Sequence, residues 1–472
     1  MIEAIKEIGR YIKKKEKLSE ISIYNDTAKL RRTKKVLCIL FTKRGKNYDY
    51  KRITCEDYSP KKPILYRGGP PSGVDILPSS IITDIKKTFN KKIIKWFEKR
   101  EEEELKNIAN VLKNKRGTII KDLLHEFENL SKDVKTNVLL TIKIKEGSKE
   151  KYLGEIDYFR KILKEDALKK YYYLSSIGES RGKGRCFLCD TPREVHGFVL
   201  PALGFSFATA DKAGFTYSLT KTSIWKEIPI CGNCAELLEI GKRFLDINLR
   251  FPKKEKNSFG YRYYVIPKIV FGKIFDKLYD KIEFFKDKEY EEGLLSKEDW
   301  LGKELENEKD VLRLIFMFYE LKGGGKFIDI INYVEDVIPS WIKKIDEAQR
   351  KIREKELFGE DSMKKVFGKN WIKNFVEGRI GKDIGLGKNN WYVIFMRDLF
   401  NRKDFFKIFN VIFSRKTVDE DFLTSKFMEE IRIYAKKGNV YGMKIIAMKS
   451  LMFLSFLREL NLLKIIDRKI YK

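Results

Sequence analysis

The chain has 472 residues, with 98 Lys+Arg against 68 Asp+Glu, 2 His and a formal charge of +30. Its 43% apolar and 13% aromatic content can bury sizeable cores, so the 35% of charged residues does not signal wholesale disorder, and the length fits two to four domains. No apolar run approaches the roughly 18 uninterrupted residues of a membrane span, the opening residues lack a signal-peptide pattern, and six Cys in so long a chain exclude a disulfide framework, which together point to a cytoplasmic protein with reduced thiols and no membrane partner.

Ile2, Ile5, Ile8 and Ile12 recur at helical spacing and predict an amphipathic first helix. The β-rich run Val36 to Phe41, the basic stretch Lys43 to Asn47 and the segment Tyr48 to Thr54 predict a hairpin with a basic tip. A strand-like Pro63 to Tyr66 enters the loop Arg67 to Asp75, after which Ser79 or Ser80 can cap a long helix reaching about Lys115. A helix (119–130), a strand (137–144) and a second helix (156–173) follow. Residues 178–241, rich in Gly, Cys and aromatics, read as an inserted module in which 205–207 and 215–217 form two small strands. A strand at 263–270 precedes a hairpin of 312–320 and 327–331 around Gly323-Gly324-Gly325, and Pro339-Ser340 starts an almost continuous helical region, broken at 381–390.

The resulting expectation is an α+β fold with a mixed N-terminal α/β region, an inserted zinc-knuckle module and a C-terminal helical bundle. The domains run 1–180, 181–245, 246–340 and 341–472. Charge is uneven among segments: residues 1–100 carry +15, residues 271–360 carry −5 and residues 361–472 carry +12. A generic solubilising surface would be more even, so the surplus points to a nucleic-acid partner.

Cys186-Phe187-Leu188-Cys189 and Cys231-Gly232-Asn233-Cys234 are the most specific pattern in the chain. Two such turns facing each other form a tetrahedral four-thiolate set, which suits structural zinc. The 41 residues between the pairs exceed the usual spacing, so the metal closes a long excursion; a thioredoxin-type couple lacks its strand–helix context here. His196 is expected to be a packed or loop histidine, because four Cys already saturate the ion; Cys38 and Cys55 are expected to be ordinary thiols. Phe205, Phe207, Phe215, Tyr217 and Trp225 suit a mini-core for the module, with base stacking the alternative. Arg181, Lys183 and Arg185, interleaved with glycines, read as a flexible basic lead into the first knuckle that suits phosphate contact.

Around these cysteines the sequence resembles the large-subunit proteins of type I-B CRISPR surveillance complexes (Cascade). The likeness rests on Val195 to Phe198, Asp211 to Phe215, Trp225-Lys226 with Pro229-Ile230 before the second knuckle, and Leu237 to Leu245. The Arg67-Gly68-Gly69 loop running to Pro78-Ser79, and the hairpin ending at Glu335 to Ser340, extend it over most of the chain. The resemblance implies a non-catalytic subunit that contacts the 5′ handle of a guide RNA, recognises a short motif beside the target and stabilises opened DNA. Its partners would be guide RNA, target double-stranded DNA, the other Cascade subunits and a separate helicase-nuclease that cuts. On this reading the hairpin tip (Lys43, Arg44, Lys46) and the loop Arg67, Gly68 and Gly69 face nucleic acid, although the loop also reads as a plain turn. Lys91, Lys92, Lys95 and Lys99 form a usable phosphate stripe, for which a solvated face is the ordinary reading. Lys436, Lys437, Lys444 and Lys449 belong to a basic exterior of the last bundle, along the displaced or target strand, and Met363 could start a separate C-terminal product.

No phosphate-binding loop, His-Asp pair, zincin helix or Gly-Gly-Asp-Asp signature occurs, and no carboxylate pair is singled out by spacing. The alternative is a stand-alone zinc-knuckle enzyme, such as a nuclease using dispersed carboxylates and a divalent metal.

Overall fold

The computed structural model describes residues 1–30, 32–69, 73–209, 220–251, 260–269, 279–280, 312–368 and 391–464. Two compact units emerge, one of Ile12–Ala202 and Ala210–Glu236, the other of Met1–Tyr11, Leu203–Thr209 and Leu237–Lys472. The fold is α+β, as the mixed pattern of periodicities predicts. Helix α1 (Ile2–Lys15) buries Ile5, Ile8 and Ile12, the stripe that predicts it.

In the first unit, β1 (Lys35–Arg44) and β2 (Asn47–Asp57) form the predicted hairpin, with Gly45 at φ +59° in its turn. With β3 (Ser80–Ile81), β4 (Val138–Glu146) and β5 (Lys149–Tyr152) they make a sheet of order β2-β1-β4-β3, with β5 on β4. β1 runs parallel to β4, Lys35 opposite Val138 through Lys43 opposite Glu146. That interior position explains why Val36 to Phe41 is a continuous apolar run: every one of these residues is fully buried, so alternation would serve nothing. A helical run over residues 85–98, then α2 (Glu103–Asn114) and α3 (Arg116–Glu128), connect β3 to β4; α4 (Asp157–Lys169) follows β5. A small sheet of β6 (Arg181–Arg185), β7 (Pro192–His196) and β8 (Ile230–Cys231) has the order β8-β7-β6 and leads into α5 (Gly232–Asn248).

The second unit contains an antiparallel sheet in chain order: β9 (Arg250–Phe251), β10 (Arg262–Ile269), β11 (Leu312–Lys322) and β12 (Phe327–Val337). The turn between β11 and β12 uses positive φ at Gly323, Gly324 and Gly325, which residues with a Cβ rarely adopt. Helices α6 (Pro339–Glu354, with Pro at its start), α7 (Glu360–Phe367), α8 (Trp391–Leu399), α9 (Arg402–Phe413), α10 (Glu420–Lys436) and α11 (Val440–Glu459) complete it. Phe406, Phe409 and Phe413 of α9 pack on Phe316 and Phe318 of β11, with ring centroids 4.8–6.0 Å apart. Helices α1 and α5 touch through glycines: a Cβ on Gly9 would lie 1.8 Å from the Leu237 carbonyl oxygen, and one on Gly241 2.0 Å from that of Ile5.

Several sequence expectations are corrected. The single helix from Ser79 is instead a buried strand and two helices. Ser79 hydrogen-bonds Thr141 across the sheet, Ser80 pairs with Leu140, and Asp84 is the true cap, its carboxylate accepting from the Lys87 N–H at 2.7 Å. The run then makes a π-helical turn (Phe89–Ile94) and ends near Lys99. Pro63 to Tyr66 is buried but joins no sheet, because the Asn25 amide takes both backbone partners, donating to the Ile64 carbonyl and accepting from the Tyr66 N–H. Residues 206–208 form a 3-10 turn rather than a strand, and Phe205 belongs to the second unit, bridging to Ile328. Residues 215–217 and the break at 381–390 lie outside the described residues.

Candidate metal centre and basic surfaces

The first knuckle is a tight turn between β6 and β7. The Cys186 N–H donates to the Thr191 carbonyl (3.2 Å), the Asp190 N–H to the Cys186 carbonyl (2.8 Å), and Asp190 takes φ +52°. The second knuckle is the passage from β8 into α5, which puts Cys234 in the first turn of a helix, where the helix dipole favours thiolates. The knuckles are tied together: the Cys231 N–H donates to Cys186 Sγ at 3.3 Å, and the Phe187 N–H to the Pro229 carbonyl at 2.7 Å.

All four sulfurs lie within 4.8 Å of one another, and Cys189 and Cys231 are 3.9 Å apart. Tetrahedral thiolates at 2.3 Å from one ion sit about 3.8 Å apart, so the set is compatible with a single metal. Hydrogen bonding from Cys234 pulls the Cys231 thiol down to about 4, while Cys234 is pushed up, chiefly by the same partner. Two adjacent thiolates repel, and a divalent cation between them removes that cost. Cys186, Cys231 and Cys234 are buried and Cys189 is exposed, a closed site with one edge to water.

His196 is buried beside the cluster but is not part of it; its ring lies 5.5 Å from that of Tyr172, and burial pushes its pKa down. Cys38 is buried in β1, where burial raises its thiol to about 12, as suits an inert core residue.

The basic lead is no flexible loop. It is the paired strand β6, and its alternation has a purpose: Trp225 packs on the glycine face, where a Cβ on Gly182 would sit 2.4 Å from the indole. Arg181, Lys183 and Arg185 occupy the exposed face. Arg181 pairs with Glu179 (3.1 Å) and Arg185 with Asp190 (3.1 Å), while Lys183 has no ion-pair partner among the described residues. The signal was legible, since Gly in a strand marks a close approach, but the identity of the visitor was not.

The hairpin tip is partly neutralised too. Lys43 binds Glu104 at 3.0 Å and Lys46 lies 3.5 Å from Glu103, leaving Arg44 exposed without an ion pair among the described residues. The next loop is bonded internally. Arg67 is held by Asp166 (2.6 Å) and the Tyr24 carbonyl, the Gly68 N–H by Asp26 and the Gly69 N–H by Asp75, so the donors a phosphate needs are already given away. Both glycines are required internally, because a Cβ on Gly69 would lie 2.1 Å from the Val74 carbonyl oxygen.

On the helical run 85–98, Lys92 turns inward to the Gly73 carbonyl and Asp75. Lys87, Lys91, Lys95 and Lys99 remain exposed at four-residue spacing, with no ion pair among the described residues. Lys436, Lys437 and Lys444 are exposed around the α10–α11 turn, whereas Lys449, expected outside, is buried and bonded to Asp398 at 2.6 Å. Sequence reasoning also missed Glu236, two residues after Cys234, which is buried and bonded by Lys13 and Tyr24.

Three family models match the chain. Residues 1–165 match the N-terminal domain of the CRISPR-associated protein TM1802, residues 183–337 its central domain and residues 391–471 its C-terminal domain. All four clustered cysteines fall within the central match. No curated protein matches the chain significantly.

Proposed function

The chain belongs to the TM1802 family of CRISPR-associated proteins, the large-subunit type its motifs resemble, and from this we propose that it is the non-catalytic large subunit of a type I-B surveillance complex. The observation that carries the reading is the match of three successive family domains along most of the chain. In this role it binds the 5′ handle of the guide RNA, recognises the motif beside the target and stabilises the opened DNA, working with the other Cascade subunits and a separate helicase-nuclease in the cytoplasm. Zinc is the ion proposed for Cys186, Cys189, Cys231 and Cys234, since a closed soft four-sulfur set selects it and it carries no redox chemistry. Its part is structural, fixing the module against which partners bind.

For backbone contact we favour the lysine stripe Lys87, Lys91, Lys95 and Lys99, together with Arg44 and Lys183, because these cations have no internal competitor among the described residues. Arg67, Gly68 and Gly69 drop out for the opposite reason. Lysines that neutralise phosphates release counterions, so binding falls with salt.

Two measurements test this. Co-expressed with its companion subunits and a guide RNA, the full chain is expected to co-purify with them, and alone with magnesium or manganese it leaves labelled DNA and RNA intact. Metal-dependent cleavage abolished by a single carboxylate substitution would overturn the non-catalytic reading in favour of a nuclease. Lys91→Gln, Lys95→Gln and Lys99→Gln together should lower the slope of log affinity against log salt by about two to three, with equal effect on all sequences. An unchanged slope assigns the stripe to solvent.

A further inference from the structure

The helical run 85–98 repeats in fours on two faces. Ile85, Phe89, Ile93 and Phe97 are buried, and Lys87, Lys91, Lys95 and Lys99 follow two positions after each of them, all exposed. A plain α-helix, with about 3.6 residues per turn, oversteps by about 40° every four residues and would wind such a row through about 120°. The π-helical turn Phe89–Ile94, with about 4.4 residues per turn, understeps and takes up that drift. The four lysines therefore stand in a nearly straight row, each step of four advancing about 5–6 Å along the axis. That interval is close to the one between successive phosphates of a single strand. The buried face accounts for the π-turn but not for lysine at all four outer positions, since a solvated face asks only for polar residues.

The row ends on a different cation. The Arg100 guanidinium lies 4.3 Å from the centroid of the Trp96 ring. The indole is itself fixed, 1% exposed and donating from Nε1 to the Ile76 carbonyl at 2.9 Å. Stacked in this way, a guanidinium presents its donors as a fixed planar fork, where a lysine offers a mobile point charge. The Arg100 Nε is buried and has no acceptor among the described residues. The nearby carboxylates Glu98 and Glu102 are engaged by Lys113 (2.9 Å) and Tyr158 (2.7 Å). A buried donor without an acceptor is costly, and a phosphate oxygen is an acceptor that removes the cost.

We propose that this run is a track for one unpaired nucleic-acid strand, on which Lys87, Lys91, Lys95 and Lys99 take successive phosphates and Arg100 grips the last of them with its fork. The π-turn sets the register of the track, and the track reads no base. An extended single strand can follow a straight row, whereas a duplex backbone, turning once in about ten phosphates, curves away from it. The inference deepens the proposed use of the lysine stripe and rests on it.

Binding of the full chain to a mixed-sequence single-stranded oligonucleotide, to oligothymidylate and to a duplex, each measured over a range of salt, tests this. Arg100→Lys keeps the charge and loses the fork, so affinity for both single strands should fall about tenfold with the salt slope unchanged. Arg100→Gln should in addition lower the slope by about 0.7. Exchanging two neighbours, Asn90→Lys with Lys91→Asn, preserves composition and net charge but moves one cation off the row, away from the Trp96 packing. It should lower affinity as much as Lys91→Asn alone. Wild-type affinity in either Arg100→Lys or the exchange variant overturns the inference, as does an Arg100→Lys chain that melts earlier yet binds normally, because Arg100 then only covers Trp96. A loss confined to the duplex, or absent with oligothymidylate, assigns Arg100 to a groove or a base edge and overturns it too. In each of these cases a lowered slope in the triple lysine variant leaves the proposed function standing. A chain that binds no oligonucleotide and joins no companion subunit overturns both.

Discussion

Glu56 is the most heavily bonded carboxylate of the first unit's sheet. Burial pushes its pKa up, but donors from Lys143 (2.6 Å), Tyr152 and Lys62 (3.0 Å) outweigh this and hold it at about 2. A carboxylate depressed in the folded state contributes stability that is complete above the ordinary carboxylate range and is lost as pH falls from there toward 2. Glu56→Gln should therefore lower stability at pH 7 by about 1–3 kcal/mol and flatten the decline between pH 5 and 2. Denaturant unfolding at a series of pH values reads both effects, and a parallel acid limb in the variant would contradict the assignment. Lys449 makes a second residue-scale case, since its side chain is 6% exposed and its Asp398 partner 15%. Asp398→Ala should cost about 3–5 kcal/mol by stranding a buried charge, and Lys449→Met with Asp398→Leu should recover most of it. A double-mutant cycle measured by unfolding shows whether it does.

Among the elements, β6 is the instructive one. Its sequence, Arg-Gly-Lys-Gly-Arg, has no apolar residue and low strand propensity, yet it pairs with β7 through five registered positions. What holds it is Trp225, whose indole needs Gly182 bare. Gly182→Val should cost about 1–3 kcal/mol by overpacking, whereas Gly184→Ala, whose Cβ meets Trp225 at 3.4 Å, should be close to neutral. Thermal melting of the two variants separates them, and equal melting points would mean the indole can move away. At this scale the sequence was read well where a periodicity had a single tertiary use: α1, the β1–β2 hairpin, and the turn at Gly323 to Gly325. It was misread where polar side chains replaced expected partners, as when Asn25 takes the backbone bonds of Ile64 and Tyr66, or Thr141 takes the hydroxyl of Ser79.

For the molecule as a whole, the four clustered cysteines bring together the two ends of the 41-residue stretch between the knuckles. Ligand binding and folding of such a module are one equilibrium. Removing the ion with a chelator, or Cys231→Ser, should release about one zinc per chain and speed amide exchange across 181–196 and 230–236, with the β11–β12 hairpin unaffected. Elemental analysis together with hydrogen exchange checks this, and a chain that carries no zinc yet exchanges equally slowly would refute the clamp. The charge of +30 is likewise a property of the whole, but its use is decided locally. Acidic neighbours engage Lys43, Lys46, Arg67, Arg181 and Arg185, and spare the stripe from Lys87 to Lys99.

The four sulfurs were legible from spacing because a short Cys-x-x-Cys turn brings its own ligands together, needing the fold only to face one pair toward the other. The alternation of periodicities likewise settled the α+β class, since helix and strand bury apolar residues with different repeats. Which cations are open to a partner could not be read in one dimension, because an ion pair such as Arg67–Asp166 or Lys43–Glu104 joins residues 99 and 61 positions apart. Only the folded chain decides whether a basic side chain meets a carboxylate of its own or keeps its charge for something else.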